Sequence, residues 1–538
     1  MAKKKEELSY MQMPLPSGRK SYKRIRADWK GLNRQHPYDT GYISDEMNIS
    51  THEYPVLTPA PMPLANNQLT GCNTSTGEVP ICMYGFDEFL IFFYVQRSIN
   101  GKFDVRMAYI DIDNYTRYES AFTQLTESVS DLDTRRRQVI QFNVFESPEN
   151  VLEGDYTKKL LIFPDKKSVD YDIPSISENN TFAVQNMVAE GAVPPPDMEY
   201  VTVHLSRVFG VNGGKIFASG FNDYTNWNVD TPFTEETTET EGDTAQGTIS
   251  FTDGYDENNA WASAAQSNTE ASGDFTGITT FQGHVVAFKK DFMHEVYNTK
   301  NPFRIQDIYA EGCIDNRSIQ SVGGMLLFVS EDGVKVYTGD KPQVLSYELG
   351  IDKFKAAVAG SDGRNYYLYC IDGSNKEAIY VYDTYCGLWS QRSVPAAVID
   401  FAKTSNGMYM LCEDGNIYRV DSDIYQQNWS FETDFMTAIS SSYGTIDIKH
   451  IQRMQIYAQI SGTLKLYILY DDEKFNAETS HLVFDSAGRT GNMTIRVIPR
   501  KTACFKFRLH AEGWGMARLH QLEFIVETGG EPNITQRH

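Results

Sequence analysis

The sequence predicts a mainly β protein organised around a β-propeller. Five stretches each place a glycine before a short run of aliphatic and aromatic residues: 213–220, 283–289, 324–337, 363–369 and 407–418. The last four recur about every 40 residues, roughly the length of one four-stranded blade. Tyrosine and phenylalanine, with 32 and 30 copies, cluster in short runs that fit a pleated sheet. We therefore expect a propeller of about six or seven blades.

Residues 1–36 form a basic N-terminal arm on an acidic chain. The cations that mark its second half are Lys23, Arg24, Arg26, Lys30 and Arg34. A block of one charge sign suggests either a disordered tail or an interaction segment. We assign these five residues to docking on an acidic neighbouring subunit, with residues 21–29 forming a strand once docked.

An extended segment over residues 37–80 leads from the arm into the propeller. Its prolines, including Pro55, Pro59 and Pro61, exclude long helices because proline lacks the amide hydrogen and clashes with the preceding turn. The propeller is predicted over residues 81–435.

Two strand pairs stand out at the start of the propeller. Residues 88–97 and 105–111 flank Asn100-Gly101, a favoured hairpin turn, and residues 138–146 precede a similar run at 158–164. A polar stretch at about 228–274, rich in Thr, Glu, Asp and Gly, has too few apolar residues to bury a core. It is predicted to be an inserted loop region.

The rhythm changes after the propeller. Residues 440–530 contain runs of alternating polar and apolar residues, clearest at 464–470 and 505–510. Strands of this kind separated by polar turns are typical of a small β-sandwich. We predict a C-terminal β-sandwich here.

Composition limits the classes of function. The 538 residues suggest two or three domains. The net charge of −22 disfavours a broad nucleic-acid-binding face, which needs a basic surface, but suits a passage along which a polyanion slides. The start of the chain lacks a signal peptide, and no apolar run reaches the roughly 18 residues of a membrane span. We expect a soluble, unsecreted protein with its seven cysteines reduced.

The sequence offers no catalytic, cofactor-binding or metal-binding motif, and we predict that the chain is not an enzyme and takes no cofactor. The patterns GxxxxGK[ST], HExxH and GxSxG do not occur. We interpret His284 and His294 as structural. Asp253, Asp256 and Glu257 lack the spacing of a calcium loop and are interpreted as solvated charges. Four tryptophans could form a sugar-binding platform, but each lies beside core-like residues in the sequence. We therefore predict that they are core residues: Trp227, Trp261, Trp389 and Trp514.

Two parts of the chain resemble a known family. Residues 29–33 (WKGLN), 41–48 (GYISDEMN) and 54–63 (YPVLTPAPMP) resemble a segment in which a glycine and an S/D-x-x-N element precede L-x-P-R-P, although Ala60 stands where arginine is common. Residues 205–227 and 273–289 resemble the signature R-x-F, A-S-G-x-x-D-x-x-x-W, G-x-h-T-x-h and h-V-x-F, in which h is a hydrophobic residue. The chain thus resembles the tail nozzle, or packaged-DNA stabilisation, proteins of short-tailed bacteriophages and related prophage β-propeller tail proteins.

The resemblance implies a structural virion protein of the tail, assembled in the host cytoplasm. Such a protein forms a ring of its own copies, a hexamer, next to the portal and the head–tail adaptor proteins, and it contacts other tail proteins. The ring extends the DNA channel and helps to retain the genome before ejection, while the DNA passes without specific binding and no membrane is involved. The alternative is a baseplate or adsorption protein whose propeller binds host surface glycans.

Overall fold

A computed structural model describes residues 12–14, 21–36, 41–65, 69, 71–87, 89–97, 101–120, 134–145, 156–171, 181–182, 184–229, 256–263, 273–425, 427–436, 449–470, 482–497 and 505–528. These residues are almost entirely strands and turns. Helical structure among them is confined to three-residue 3-10 turns at Thr74–Thr76, Asn316–Ser318 and Tyr347–Leu349. None of the described helices is long and apolar enough to cross a bilayer.

Seven sheets of four or five strands follow one another through the described part of the chain and form the blades of a propeller. Blade 1 comprises Val79–Phe86, Phe89–Arg97, Phe103–Asp111, Thr116–Ser120 and Thr181–Phe182. Blade 2 comprises Gln138–Phe145, Tyr156–Phe163, Lys167–Asp170 and Gln185–Asn186. Blade 3 comprises Tyr200–His204, Arg207–Asn212, Lys215–Ala218 and Trp261–Ala262. Blade 4 comprises Phe275–Phe281, His284–Lys289, Met293–Tyr297 and Arg304–Tyr309.

The strands of the remaining three blades pair in antiparallel fashion, as in blades 2 to 4. Blade 5 comprises Gln320–Val322, Met325–Ser330, Gly333–Tyr337 and Gln343–Val344. Blade 6 comprises Phe354–Ser361, Asn365–Asp372, Glu377–Asp383 and Leu388–Arg392. Blade 7 comprises Val398–Thr404, Gly407–Cys412, Ile417–Arg419 and, from the N-terminal side of the chain, Leu64–Ala65. The first and last parts of the propeller thus share one blade, which closes the ring of sheets.

The repeated glycines lie in the turns that begin each blade's second strand. Gly283, Gly324 and Gly363 have φ values of 81°, 78° and 100°, which residues with a Cβ rarely adopt. Gly213 differs from them because it separates the second and third strands of blade 3. The 40-residue repeat in the sequence therefore corresponds to one recurring structural position, the hairpin turn between the first and second strands of a blade.

Both strand pairs predicted at the start of the propeller are confirmed. Phe89–Arg97 pairs with Phe103–Asp111, and Gln138–Phe145 pairs with Tyr156–Phe163. The predicted insertion needs one correction, because Trp261–Ala262 within it is the outermost strand of blade 3. Most of the remaining insertion lies outside the described residues.

The chain's two ends meet in one continuous sheet, which we call the bent sheet. Among the described residues it has eight strands: Gln12–Pro14, Ser21–Ala27, Asp45–Met47, Asn428–Met436, Lys449–Tyr470, Leu482–Asp485, Gly491–Arg496 and Phe505–Thr528. The alternating run predicted at 464–470 is the second part of one strand of 22 residues, Lys449–Tyr470. A separate C-terminal sandwich is not confirmed, because these strands belong to a single hydrogen-bonded network that also recruits N-terminal residues.

The two longest strands of the bent sheet change register where they contain glycine. The pairing shifts between Ile460 and Gly462, and Gly462 faces Gly513. A Cβ on Gly462 would lie 2.1 Å from the carbonyl oxygen of Glu512, closer than real Cβ contacts allow. The rings of Phe435 and Phe524, on either side of this bend along the sheet, lie 5.0 Å apart. Glycine thus permits the close backbone approach that brings the two halves together.

The bent sheet and the propeller share a hydrophobic core. One buried cluster joins Leu464, Phe507 and Phe524 of the bent sheet to residues of blades 5 and 6, including Leu327 and Trp389. Short strands of the extended segment, Ile49–Ser50 and Thr58–Pro59, pair with each other beside this core. The bent sheet is therefore packed on the propeller rather than tethered by a linker.

Candidate functional site

The propeller's centre contains a cavity of about 330 Å³ lined by the first strands of the blades and the turns beside them. Its polar lining includes Arg136, Gln138, Thr202, Arg317 and Asp400. The Arg136 and Asp400 side chains form an ion pair at 2.7 Å, and Arg317 pairs with Asp315 at 2.6 Å. Two cations and two anions thus neutralise each other around the axis.

The ion pair between Arg136 and Asp400 lies in a poorly hydrated part of the central cavity, and the attraction between the two partners favours the charged form of each. Burial raises the pKa of Asp400, and Arg136 opposes that shift. Burial alone would lower the pKa of Arg136, but Asp400 and Tyr84 bring it above its usual value. The Asp400 carboxylate also accepts the backbone amide of Met83 at 3.2 Å, which ties blade 7 to blade 1. This network is suited to joining blades across the axis.

A second cavity, of about 480 Å³, lies where the extended segment, blades 6 and 7 and the bent sheet meet; we call it the junction cavity. Its lining includes Arg364, Arg392 and Arg518 as cations. Arg364 makes a bidentate contact with Asp383 at 3.1 and 2.6 Å, and Arg518 pairs with Glu53 at 3.1 Å. Arg392 is 8% exposed, and among the described residues its hydrogen-bond partners are backbone carbonyls. The junction cavity therefore combines two paired arginines with a buried one that lacks a carboxylate partner among the described residues.

In blade 3, residues of the 205–227 segment that resembles the family signature form a network of buried hydrogen bonds. Arg207 is 1% exposed, and its guanidinium donates to the carbonyls of Ser219, Asn259 and Glu257. The Ser219 hydroxyl accepts the backbone amide of Val208 at 3.0 Å. These bonds fasten the turn after the third strand to residues that precede the fourth. The signature thus has a packing role here.

The extended segment forms a second hydrogen-bond network, which lies between the propeller and the bent sheet. The Asn48 side chain accepts the Ser393 amide at 2.8 Å and donates to the carbonyl of Asn428 at 2.8 Å. Glu46, two residues earlier, is 2% exposed and accepts the Gln391 amide at 3.0 Å. Residues 41–48 therefore bond to blade 6 and to the bent sheet at once. A single sequence gave no sign that Glu46 or Arg392 would be buried here.

The five predicted docking residues do not form one free patch. Arg24 pairs with Glu523 at 2.6 Å and Arg34 with Asp45 at 2.8 Å, both within this chain. Lys30 lies 4.8 Å from the ring centre of Tyr42. Arg26 is the most exposed of the three arginines, with an Asp28 oxygen at 3.7 Å, and Lys23 is placed by its backbone pairing with Val526. The strand predicted at 21–29 exists as Ser21–Ala27, paired with the chain's own C-terminal strand.

Other residues singled out in the sequence have varied surroundings. Trp227, Trp261 and Trp389 are buried, whereas Trp514 is 56% exposed and departs from the predicted core role. His294 is buried and lies 2.7 Å from Asp307. Asp253 lies outside the described residues; none of the described residues forms a cluster of metal-ligand type, and Glu257 pairs with Lys300. The six described cysteines are free: Cys72, Cys82, Cys313, Cys370, Cys386 and Cys412.

Comparison with known proteins identifies no family for this chain and finds distant likenesses to β-propeller structures. No protein-family model matches the sequence, and no curated protein matches it significantly. The fold is similar to the β-propeller domain of the Trilobed protease from Pyrococcus furiosus, with 9% identity, a TM-score of 0.33, and coverage of 64% of this chain and 98% of that one.

Two further propeller structures show the range of proteins that share this likeness. For BamB from Moraxella catarrhalis the identity is 12%, the TM-score 0.31, and the coverage 76% of this chain and 100% of that one. For the Pyrococcus horikoshii acylaminoacyl peptidase the identity is 7%, the TM-score 0.33, and the coverage 69% and 59%. At these values the likenesses carry no argument about function, and they include both an enzyme and a protein not named as one. The chain is a seven-bladed β-propeller protein over its described residues.

Proposed function

We propose that this protein is a structural subunit of a bacteriophage tail, a ring of the nozzle or neck that extends the DNA channel and helps to retain the genome before ejection. The proposal rests on the resemblance of residues 29–63 and 205–289 to tail nozzle proteins. It assigns the chain no catalytic step. Its partners are further copies of itself, the head–tail adaptor and other tail proteins.

The observation that carries the proposal is that residues in the resembling segments hold parts of the subunit together through hydrogen bonds. Asn48 and Glu46 bond the extended segment to the propeller and the bent sheet, and Arg207 binds three carbonyls within blade 3. Residues that hold a rigid subunit together are expected to have such roles. Residues that serve substrate chemistry would instead be expected to line an open cleft.

The propeller's own centre is too small for a DNA duplex. Its cavity of about 330 Å³ is at the lower end of small-molecule pockets, and Arg136, Asp400 and Arg317 occupy its walls. A duplex needs a far wider passage, since its major groove alone is about 12 Å across. A DNA channel in the proposed assembly must therefore run between copies, which makes oligomerisation a requirement. The charge of −22 would limit adhesion of DNA to such a wall.

Electron microscopy of the purified full chain, alone and mixed with the adaptor ring of the same virus, tests this proposal. Closed rings around a central hole are the expected result. Particles that remain single beside an adaptor ring would contradict it. The map would also give the number of copies.

Charge reversal separates the arm's docking role from its role within the fold. Arg26→Glu alters an exposed cation of the arm strand, whereas Lys102→Glu makes the same change at an exposed position of blade 1. Arg26→Glu is expected to reduce ring assembly in mass photometry while thermal unfolding stays unchanged, and Lys102→Glu should leave both unchanged. Equal assembly by the two variants would remove Arg26 from the proposed interface.

Glycan binding is the alternative, and exposed Trp514 is the observation that favours it. Trp514 lines a shallow cavity of about 500 Å³ beside Met47 and Met62, on the bent sheet rather than at the channel mouth. Aromatic faces commonly contact sugars through their apolar surfaces. Binding of host surface glycans on an array, lost in Trp514→Ala, would favour this alternative over the ring.

A further inference from the structure

The junction cavity holds a positive charge without a counter-ion. Nη1 of Arg392 donates to the carbonyls of Ile49 and Gln391, and no described carboxylate forms an ion pair with this guanidinium. Within the described chain, neither Nε nor Nη2 of Arg392 has a hydrogen-bond partner, nor does either belong to the fully buried unpartnered atoms. Arg392 lines the cavity, and these two donors are the ones that remain for a ligand. A buried cation left in this state is costly unless an anion joins it.

Glu46 acts electrostatically on the Arg392 guanidinium without forming an ion pair with it. Burial raises the pKa of Glu46 to about 8, against the opposing effects of Arg392, the Gln391 amide and Arg34 and with a small additional rise from Asp45. This shift favours the neutral form of Glu46 and so weakens its compensation of the Arg392 charge. Burial also lowers the pKa of Arg392 from its usual value, but a guanidinium stays charged at pH 7. The positive charge of Arg392 thus remains available to an incoming anion.

The rest of the cavity indicates which anion fits. The carboxylates of Asp362, Asp421 and Asp423 also line it and would repel a highly charged ligand. The Asp362 carboxylate already accepts four hydrogen bonds, and Asp421 pairs with Arg419 at 3.0 Å. Of the three, Asp423 is therefore the acceptor best placed to take a hydrogen bond from a hydroxyl group. Val381 and Val420 supply apolar wall surface. A volume of about 480 Å³ suits a small molecule.

We propose that the junction cavity binds a small hydroxylated monocarboxylate, of the sugar-acid class, with its carboxylate on Nε and Nη2 of Arg392. A guanidinium presents two parallel donors that match the two oxygens of a carboxylate. Arg364 and Arg518 have carboxylate partners whereas Arg392 has none among the described residues, which calls for a single negative charge. Asp423 accepts a hydroxyl of the ligand. This site is independent of the proposed ring, since every copy would contain it.

Isothermal titration calorimetry of the full chain with glucuronate and gluconate tests the proposal at pH 7. Glucose is the neutral match for glucuronate, and inorganic phosphate is the competing oxyanion. At least one sugar acid is expected to bind with a Kd of about 1 mM or tighter, while glucose does not bind. The assignment is overturned if neither acid binds, if glucose binds as well as glucuronate, or if phosphate binds and the sugar acids do not.

Two sets of variants locate the site. Arg392→Gln is expected to weaken sugar-acid binding at least tenfold, and circular dichroism checks that it folds. Met516 lines the same cavity and is 64% exposed, so it can be changed without disturbing the core. Met516→Glu adds a carboxylate at the rim and should weaken binding at least tenfold relative to Met516→Gln. Equal affinity of the two Met516 variants would place any bound acid elsewhere, even if Arg392→Gln fails to fold.

Discussion

The blades take nearly all their strands from neighbouring stretches of the chain, whereas the bent sheet gathers its strands from both ends. Within blade 6, four strands fall between residues 354 and 392. In the bent sheet, Ser21–Ala27 pairs with residues about 500 positions away, in Phe505–Thr528. Local pairing costs little loop-closure entropy, and distant pairing costs more. The blades can therefore form from local sequence, whereas the N-terminal strands join the bent sheet only through long-range pairing.

The two regions also differ in what stabilises their key junctions. Blade 2 contains a fully buried ion pair, Arg137 with Asp165, at 3.0 Å. The junction of the arm with the bent sheet has an exposed ion pair, Arg24 with Glu523, and a buried aromatic contact in which the ring of Trp29 meets that of Phe431 edge-on at 5.0 Å. A buried apolar contact gains stability from area removed from water, whereas a buried ion pair mainly penalises loss of one partner.

The largest expected effect comes from breaking the aromatic contact. Trp29 is 3% exposed, and its indole NH donates to the carbonyl of Leu519 at 3.2 Å. Trp29→Ala should lower the free energy of unfolding by about 3–5 kcal/mol, since it removes a large buried ring and one of the hydrogen bonds to that carbonyl, which keeps the Leu57 amide at 3.1 Å. Denaturant titration with a tryptophan-independent signal measures the loss.

The matched control for Trp29 is Trp514, which lies on the bent sheet but is 56% exposed. Trp514→Ala is expected to change the free energy of unfolding by less than about 1 kcal/mol. Hydrogen exchange should show that Trp29→Ala exposes the amides of the bent sheet before those of the blades. Uniform loss of protection in both regions would mean that they unfold as one unit.

The contrast between local pairing in the blades and long-range pairing in the bent sheet explains which parts of the fold could be predicted from the sequence. The glycine-led hairpins of blades 4 to 7 were predictable because a positive φ and an apolar run are local signals, seen at Gly283 and Gly363. The pairing of the arm was not, because nothing at Ser21–Ala27 specifies a partner some 500 residues distant. Arg392 at the junction cavity was missed for the same reason, since its burial depends on segments far apart in the chain.

The bend in the two long strands offers a second, smaller test. A Cβ at position 462 would lie 2.1 Å from a backbone oxygen, so Gly462→Ala forces the strands apart. We expect a loss of about 1–3 kcal/mol in the free energy of unfolding. In the propeller, a Cβ on Gly214 would meet nothing closer than 3.9 Å, and Gly214→Ala should be nearly neutral. Equal losses for both would show that the bend does not depend on close backbone approach.

The smallest expected effect concerns pH, for which two partly exposed histidines predict opposite trends. In the bent sheet, hydrogen bonding to Glu432 raises the pKa of His510, against burial and with further help from Glu512. Its stabilising contribution is therefore complete below the unfolded value of about 6.5 and is lost as pH rises through the folded value. In the propeller, burial and then His284 lower the pKa of His204. Its penalty applies at low pH and disappears as pH rises towards the unfolded value.

Chemical denaturation at pH values on either side of about 6.5 separates the two histidines. Relative to His510→Gln, the wild type should be more stable on the acid side and lose that advantage on the alkaline side, by less than about 1 kcal/mol because the side chain is 30% exposed. Arg508, which lies 2.9 Å from Glu432, competes for the same carboxylate and limits the effect. Relative to His204→Gln, the wild type should gain stability as pH rises. If the two comparisons change in the same direction, the contrast in histidine environments between propeller and bent sheet is wrong.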